Sequence, residues 1–250
     1  MKLNAASVAL LSFGMLVAAV PRPQRRQTAQ VFSTCAQPNT VALTFDDGPW
    51  EYMFDISDTL TQNGAKGTFF FNGDNFGCIY DQAQIDEVKY AFNQGHQVAS
   101  HTWSHPHLTT LSSDQINDEM QRVEQALQRI VGVVPAFMRP PYGEYNDDVQ
   151  SIAGARGQSL VLWDFDAGDA DGKAPNDTLS DYRNRIDQHP STFLPLNHET
   201  HETTAHQVIP QVVQWLKDAG YNMVTVAECL GMEPYQSVQA PGTPDGDWHC

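Results

Sequence analysis

From residue 41 to residue 230, apolar β-rich runs alternate with helical patterns and no linker interrupts them. That alternation is the mark of repeated β-α units around a mainly parallel sheet. Strands are expected over residues 41–45, 67–71, 97–100, 136–139, 159–165, 192–196 and 222–226. The clearest helix covers residues 113–131, where Ile116, Met120, Val123, Leu127 and Ile130 recur at spacings of four and three. Ser112 and Gln115 can cap its start reciprocally. A second helix is expected over residues 204–219, with Val208, Val212, Trp215 and Ala219 on one face and Gly220 ending it. Both stripes read as core. Seven strands separated by helices predict an α/β fold, an irregular, distorted β/α barrel in a single domain, with an open doubly wound sheet as the alternative. In either fold reactive groups gather at the C-terminal ends of the strands.

Those ends carry unusual groups. The first strand runs into Thr44-Phe45-Asp46-Asp47-Gly48-Pro49. Adjacent carboxylates raise one another's proton affinity unless a cation sits beside them; the plainer reading is an acidic turn. The third strand leads into Ser100-His101-Thr102-Trp103-Ser104-His105. On a helical turn, histidines four apart share a face, where an ion such as zinc accepts nitrogen ligands. One carboxylate with two histidines leaves positions open for water or substrate, as in catalytic sites. His107 reads as a bystander. After the fourth strand comes Arg139-Pro140-Pro141-Tyr142-Gly143, a rigid loop with an arginine able to pair with a carboxylate. The fifth strand end carries Trp163, Asp164, Asp166 and Asp169, and the sixth Leu196-Asn197-His198. An acid and a histidine on neighbouring ends can form a His–Asp pair. His201 and His206, with Glu199 or Glu202, could form a second metal cluster; an exposed loop leading into the helix is the preferred reading.

The termini and composition narrow the class. Residues 1–20, with Lys2, an apolar run over 8–20 and Ala18-Ala19, are expected to be a removed signal peptide. That run is too short to span a membrane, which needs about 20 apolar residues. Residues 21–34, with paired Arg25-Arg26, are expected to be a pro-peptide or a disordered linker, residues 35–230 the folded domain and 231–250 a tail pinned by a disulfide. A net charge of −16 argues against a nucleic-acid partner. The four cysteines include no Cys-x-x-Cys pair, so two disulfides are expected. Cys35 precedes the first strand and Cys229 follows the last, so closure of the sheet makes them neighbours. Cys78–Cys250 follows by elimination.

In order, TFDDGP, SHTWSH, RPPYG, the Trp/Asp segment and LNH resemble the polysaccharide deacetylases of carbohydrate esterase family four, the NodB-like homology domain. LNHETHETTA looks especially like the fungal chitin deacetylases. The resemblance covers about residues 40–230. It implies a secreted, metal-dependent hydrolase, extracellular or in the cell-wall region, that releases acetate from N-acetylglucosamine units of chitin or chitooligosaccharides. A monomer with no membrane partner is expected. By position, Asp47, His101 and His105 would hold zinc, or another divalent transition metal such as cobalt. Asp46 would be the general base, held by Arg139, and His198 the acid. The partner of His198 would be Asp169 or Asp166. Tyr142, through its backbone N–H, would face the oxyanion, and Leu196 the acetyl methyl, with Trp163 and Asp166 also lining the substrate site. The family carries a Trp after the acid that Asp169 matches, and this chain has Ala170, so that pocket is expected to differ. Acetylated xylan or peptidoglycan are alternative substrates. A non-catalytic carbohydrate-binding relic is the alternative of another class, against which the presence of both Asp46 and His198 argues. Trp50, Tyr52, Trp103 and Tyr142 are expected to be exposed near the cleft, where they could stack on sugar rings.

Overall fold

The computed structural model describes residues 28–250. The expected signal peptide and residues 21–27 of the expected linker lie outside them. Eight strands form the main sheet: β1 (Val31–Phe32), β2 (Leu43–Asp46), β3 (Gly67–Phe71), β4 (Gln97–Ser100), β5 (Phe137–Met138), β6 (Ser159–Val161), β7 (Phe165–Asp166) and β8 (Pro195–His198). Every pairing is parallel, and the order across the sheet is β1-β6-β5-β4-β3-β2-β8-β7. From β2 to β6 each strand lies beside its predecessor and always in one direction. That is the winding of a barrel, whereas a doubly wound sheet reverses direction midway. The barrel is a distorted, incomplete one: β1 and β7 are its two edges.

Seven helices connect and cover these strands: α1 (Met53–Gln62), α2 (Gln82–Asn93), α3 (Ser113–Val131), α4 (Asp147–Ala155), α5 (Pro175–Asp187), α6 (Ile209–Asp218) and α7 (Val226–Leu230). α3 has the expected bounds. Ser112 Oγ accepts from the Gln115 N–H, the Gln115 side chain accepts from the Ser112 N–H, and Gly132 ends the helix at φ 79°. Its stripe of Ile116, Met120, Val123, Leu127 and Ile130 is buried. Burial of such side chains stabilises by roughly 1.5–3 kcal/mol each. The expected helix over 204–219 divides into a wide turn at Thr204–Val208 and α6. Pro210 stands at the start of α6, where its missing N–H is not needed.

Four expected strands are corrected, the first being that over 41–45, which is interrupted at Ala42 so that β2 begins at Leu43. Residues 159–165 break into β6 and β7, because the first half pairs with β1 and β5 whereas the second pairs with β8. Residues 192–196 likewise split: Thr192–Phe193 joins Thr40–Val41 and Asn222–Met223 in a small parallel sheet below the main one, and β8 continues above. The run over 222–226 stops at Met223, since Thr225 caps α7 in a capping box with Glu228. Residues before Cys35 also pack against the domain. Ala29 is buried and Val31–Phe32 lies against Leu160–Val161, a two-residue edge too short to show a period.

Cys35–Cys229 and Cys78–Cys250 are the two disulfides, as expected from chain order. The tail they secure is partly structured, with Tyr235–Val238 antiparallel to Val133–Pro135. Among the described residues no helix is long and apolar enough to cross a membrane.

Candidate active site

The C-terminal ends of β2, β4, β5, β7 and β8 surround one cavity of about 430 Å³. Asp46, Asp47, His101, His105, Tyr142, Trp163, Asp166, Leu196 and His198 line it, joined by Pro140, Ala170 and Asp171. Arg139 and Asp169 stand behind that wall and touch it from within. Register explains much of the convergence. Asp46 and His198 are direct partners across the β2–β8 pair, so the two ends deliver a carboxylate and an imidazole at the same level.

The loops then turn back sharply. Asp47 (φ 74°), Thr102 (φ 72°), His105 (φ 55°) and Tyr142 (φ 60°) all sit in the left-handed region, which is uncommon for residues with a side chain. Backbone strain of this kind concentrates where surrounding structure holds it for function. It also corrects the route by which His101 and His105 meet. No helical turn joins them; an irregular loop does, and Pro106 disfavours right-handed helix at His105. The two rings are nevertheless 4.9 Å apart.

Asp47, His101 and His105 each offer a ligand atom within 4.8 Å of the others. Asp47 Oδ1 is 3.6 Å from His101 Nε2 and 3.4 Å from His105 Nε2, and this buried oxygen makes no hydrogen bond. His101 Nδ1 donates to the Arg139 carbonyl at 2.7 Å, which fixes the ring and turns Nε2 toward Asp47. Burial pushes the His101 pKa down to about 3, against the opposing pull of Asp47, so the imidazole is neutral and able to ligate. An unpartnered carboxylate oxygen facing two nitrogen atoms of a borderline-soft set fits a divalent transition metal.

Asp46 has different surroundings. Its Oδ1 accepts from Arg139 Nη1 at 2.8 Å, and its Oδ2 lies 3.6 Å from His101 Nε2. Arg139 is fully buried, and three more of its N–H groups donate to Thr44 Oγ1 and the carbonyls of Val161 and Leu162. One Asp46 oxygen is therefore pinned and the other faces the metal cluster. Burial raises the Asp46 pKa, with the charges of Arg139 and His198 pulling the other way.

On the opposite side, His198 Nδ1 donates to Asp169 Oδ1 at 2.8 Å and its backbone N–H to Oδ2 at 2.8 Å; Thr204 Oγ1 donates to the same oxygen. The carboxylate that meets His198 is thus Asp169. Asp166 is exposed and accepts from the Gly168 N–H instead. Burial opposes protonation of His198, but the Asp169 hydrogen bond and charge, with Asp46 and Asp47, outweigh it and raise the pKa to about 9. Asp169 is lowered in turn by its bonds from His198, which overcome its burial.

Some expectations change here. Trp103 is buried, with the Arg122 guanidinium 3.8 Å above its ring, so it offers no face to a sugar. Tyr142 is 54% exposed, its ring stacked on His107 at 4.0 Å, and His107 in turn pairs with Glu144. His206 pairs with Asp55 at 2.8 Å and with Glu202 at 3.5 Å through its two opposite nitrogens, so these groups do not converge on one point. Glu199 is fully buried rather than exposed: its Oε1 accepts from the Trp50 N–H at 3.0 Å and fills the space a Cβ on Gly48 would take, 1.5 Å away. Only its position after His198 could have drawn attention to it.

A family profile described as polysaccharide deacetylase matches residues 33–161. A chitin deacetylase of a Pestalotiopsis species is 37% identical over 216 residues, spanning 83% of this chain and 70% of that protein. A peptidoglycan-N-acetylglucosamine deacetylase of Bacillus cereus is 32% identical over 204 residues, 79% of this chain and 70% of its own. The solved chitin deacetylase of Colletotrichum lindemuthianum superposes with a TM-score of 0.79 at 34% identity, over 85% of this chain and 96% of that one.

Proposed function

Because this chain belongs to the polysaccharide deacetylase family, we propose that it hydrolyses the N-acetyl groups of N-acetylglucosamine units in chitin or chitooligosaccharides, releasing acetate. The observation that carries the reading is the convergence of a His–His–Asp cluster, a pinned carboxylate and a charged imidazole on one cavity. Asp47, His101 and His105 would hold zinc or a similar divalent ion, which when bound supplies Lewis acidity to water and to the acetamide carbonyl. Asp46 Oδ2 takes the proton of the attacking water, while Arg139 keeps Oδ1 in place. The Tyr142 backbone N–H is the protein group assigned to the developing oxyanion. His198 Nε2 faces away from Asp169 and delivers its proton to the departing amine. Asp169 holds that proton on the ring until the C–N bond breaks. Base and acid come from adjacent strand ends, so a proton can be accepted on one side of the scissile bond and donated on the other. Leu196 and Trp163 give the acetyl group an apolar wall, and Asp166 a polar rim.

Chitin as the substrate is supported by the identity to one chitin deacetylase and the close superposition on another. The two disulfides support an extracellular setting, and a monomer is proposed. Acetate release from chitin oligomers, acetylated xylan and peptidoglycan, before and after chelation, tests the reading. Chelator-sensitive release that is fastest from chitin oligomers is expected; no release from any of the three would overturn it.

A further inference from the structure

One strand end in the middle of the sheet, that of β3, contributes no side chain to the cavity. It carries Asn72, which is 1% exposed and lies between the loop bearing Asp47 and the loop bearing His101 and His105. Its backbone N–H donates to the Gly48 carbonyl at 2.7 Å. Its side-chain amide donates twice, to the carbonyls of His101 at 2.6 Å and Thr102 at 3.0 Å. Two carbonyls can be met only by the NH₂ end of an amide, so the orientation is set, and the amide oxygen accepts from Asn75. The next two backbone N–H groups, of Gly73 and Asp74, both donate to the Trp103 carbonyl. The three carbonyls bonded by Asn72 adjoin or belong to left-handed positions: Gly48 follows Asp47, His101 precedes Thr102, and Thr102 is itself left-handed. Left-handed residues with a Cβ are costly by roughly 1–2 kcal/mol each and persist only where neighbours hold them.

We propose that Asn72 is a positioning residue that locks the carboxylate half and the histidine half of the metal site in register. This rests on the metal-centre reading above. Asn72 meets no ligand itself; it sets the distance between ligands by bonding the backbones that carry them.

Asn72→Asp has nearly the same shape but replaces both side-chain donors by acceptors, opposite two carbonyl oxygens. Zinc affinity by chelator competition and the visible spectrum of the cobalt-loaded protein would be measured for wild type, Asn72→Asp and His101→Ala. Ser57→Ala is the control, since it loses a buried hydrogen bond to His96 away from the site. Zinc affinity is expected to fall 10- to 100-fold in Asn72→Asp, the range seen when groups behind metal ligands are removed, with an altered cobalt spectrum and unchanged affinity in Ser57→Ala. Should Asn72→Asp fail to fold, Asn72→Ser, which keeps one donor, takes its place with an intermediate loss expected. Wild-type affinity and spectrum in a folded Asn72 variant, or an equal loss in Ser57→Ala, would overturn the proposal. Failure of the underlying reading has a different signature: wild type without affinity, or His101→Ala binding as tightly as wild type.

Discussion

Asp46 and Asp47 are chain neighbours, yet one is pinned by a buried arginine and the other presents an unbonded oxygen to two imidazoles. That contrast is the reason for proposing proton transfer at the first and ligation at the second. The same logic governs His198, whose charged form depends on Asp169. The proton on His198 is held up to about pH 9 and lost above it, so the alkaline limb of kcat/KM should report this group. Asp169→Asn removes the largest favourable charge, leaves burial opposed only by Asp46 and Asp47, and should move that limb to lower pH while reducing kcat at least tenfold. A limb that stays in place would exclude Asp169 as the tuning group. At this scale the polar groups that line the cavity were legible, because a parallel β/α fold places them at strand ends. Asn72 and Glu199 were not, since an amide bonding backbone carbonyls and a carboxyl filling a gap have no chemical signature in one sequence. Trp103 was misread because its burial depends on Arg122 from another element.

Elements with strong local signals, such as α3 with its stripe and capping box, were readable to the residue. Those whose limits depend on a change of partner were not: β6 ends where Arg139 takes the carbonyls of Val161 and Leu162, and β7 begins against β8. His96 shows how a turn between elements stores pH sensitivity. It is buried between α2 and β4, bonded to Ser57 Oγ and to the Gly67 N–H, and burial lowers its pKa to about 4. The unfolded chain takes up this proton near pH 6.5, the folded one only near 4. Stability should therefore decline as pH falls from about 6.5 through 4, by up to about 1.4 kcal/mol per pH unit from this group. Denaturant unfolding of metal-free protein at pH 7 and pH 4.5 checks this: His96→Gln should flatten the decline, and an unchanged slope would contradict the assignment.

For the molecule as a whole, seven alternating units foretold a barrel-like winding, but not that β1 and β7 would remain unpaired edges, since edge pairing depends on distant segments. The two disulfides cross-link residues 194 and 172 positions apart, and in the chain-entropy account each stabilises by on the order of 5 kcal/mol. They differ in access: Cys35 and Cys229 are buried, whereas Cys250 is exposed and Cys78 half-buried. Mild thiol should therefore open Cys78–Cys250 first, and mass mapping after alkylation would show it; simultaneous opening of both would refute this ordering. The tail is also held by Arg129 and by Trp248 on Tyr80, so acetate release should survive its reduction. The proposed chemistry depends on a division of labour between two adjacent carboxylates at the head of the barrel. Its most direct test is bound zinc and acetate release measured side by side in Asp46→Asn and Asp47→Asn. Asp46→Asn should retain one zinc per chain and lose release by about three orders of magnitude or more, and Asp47→Asn should lose both; full activity in Asp46→Asn, or stoichiometric zinc in Asp47→Asn, would contradict it.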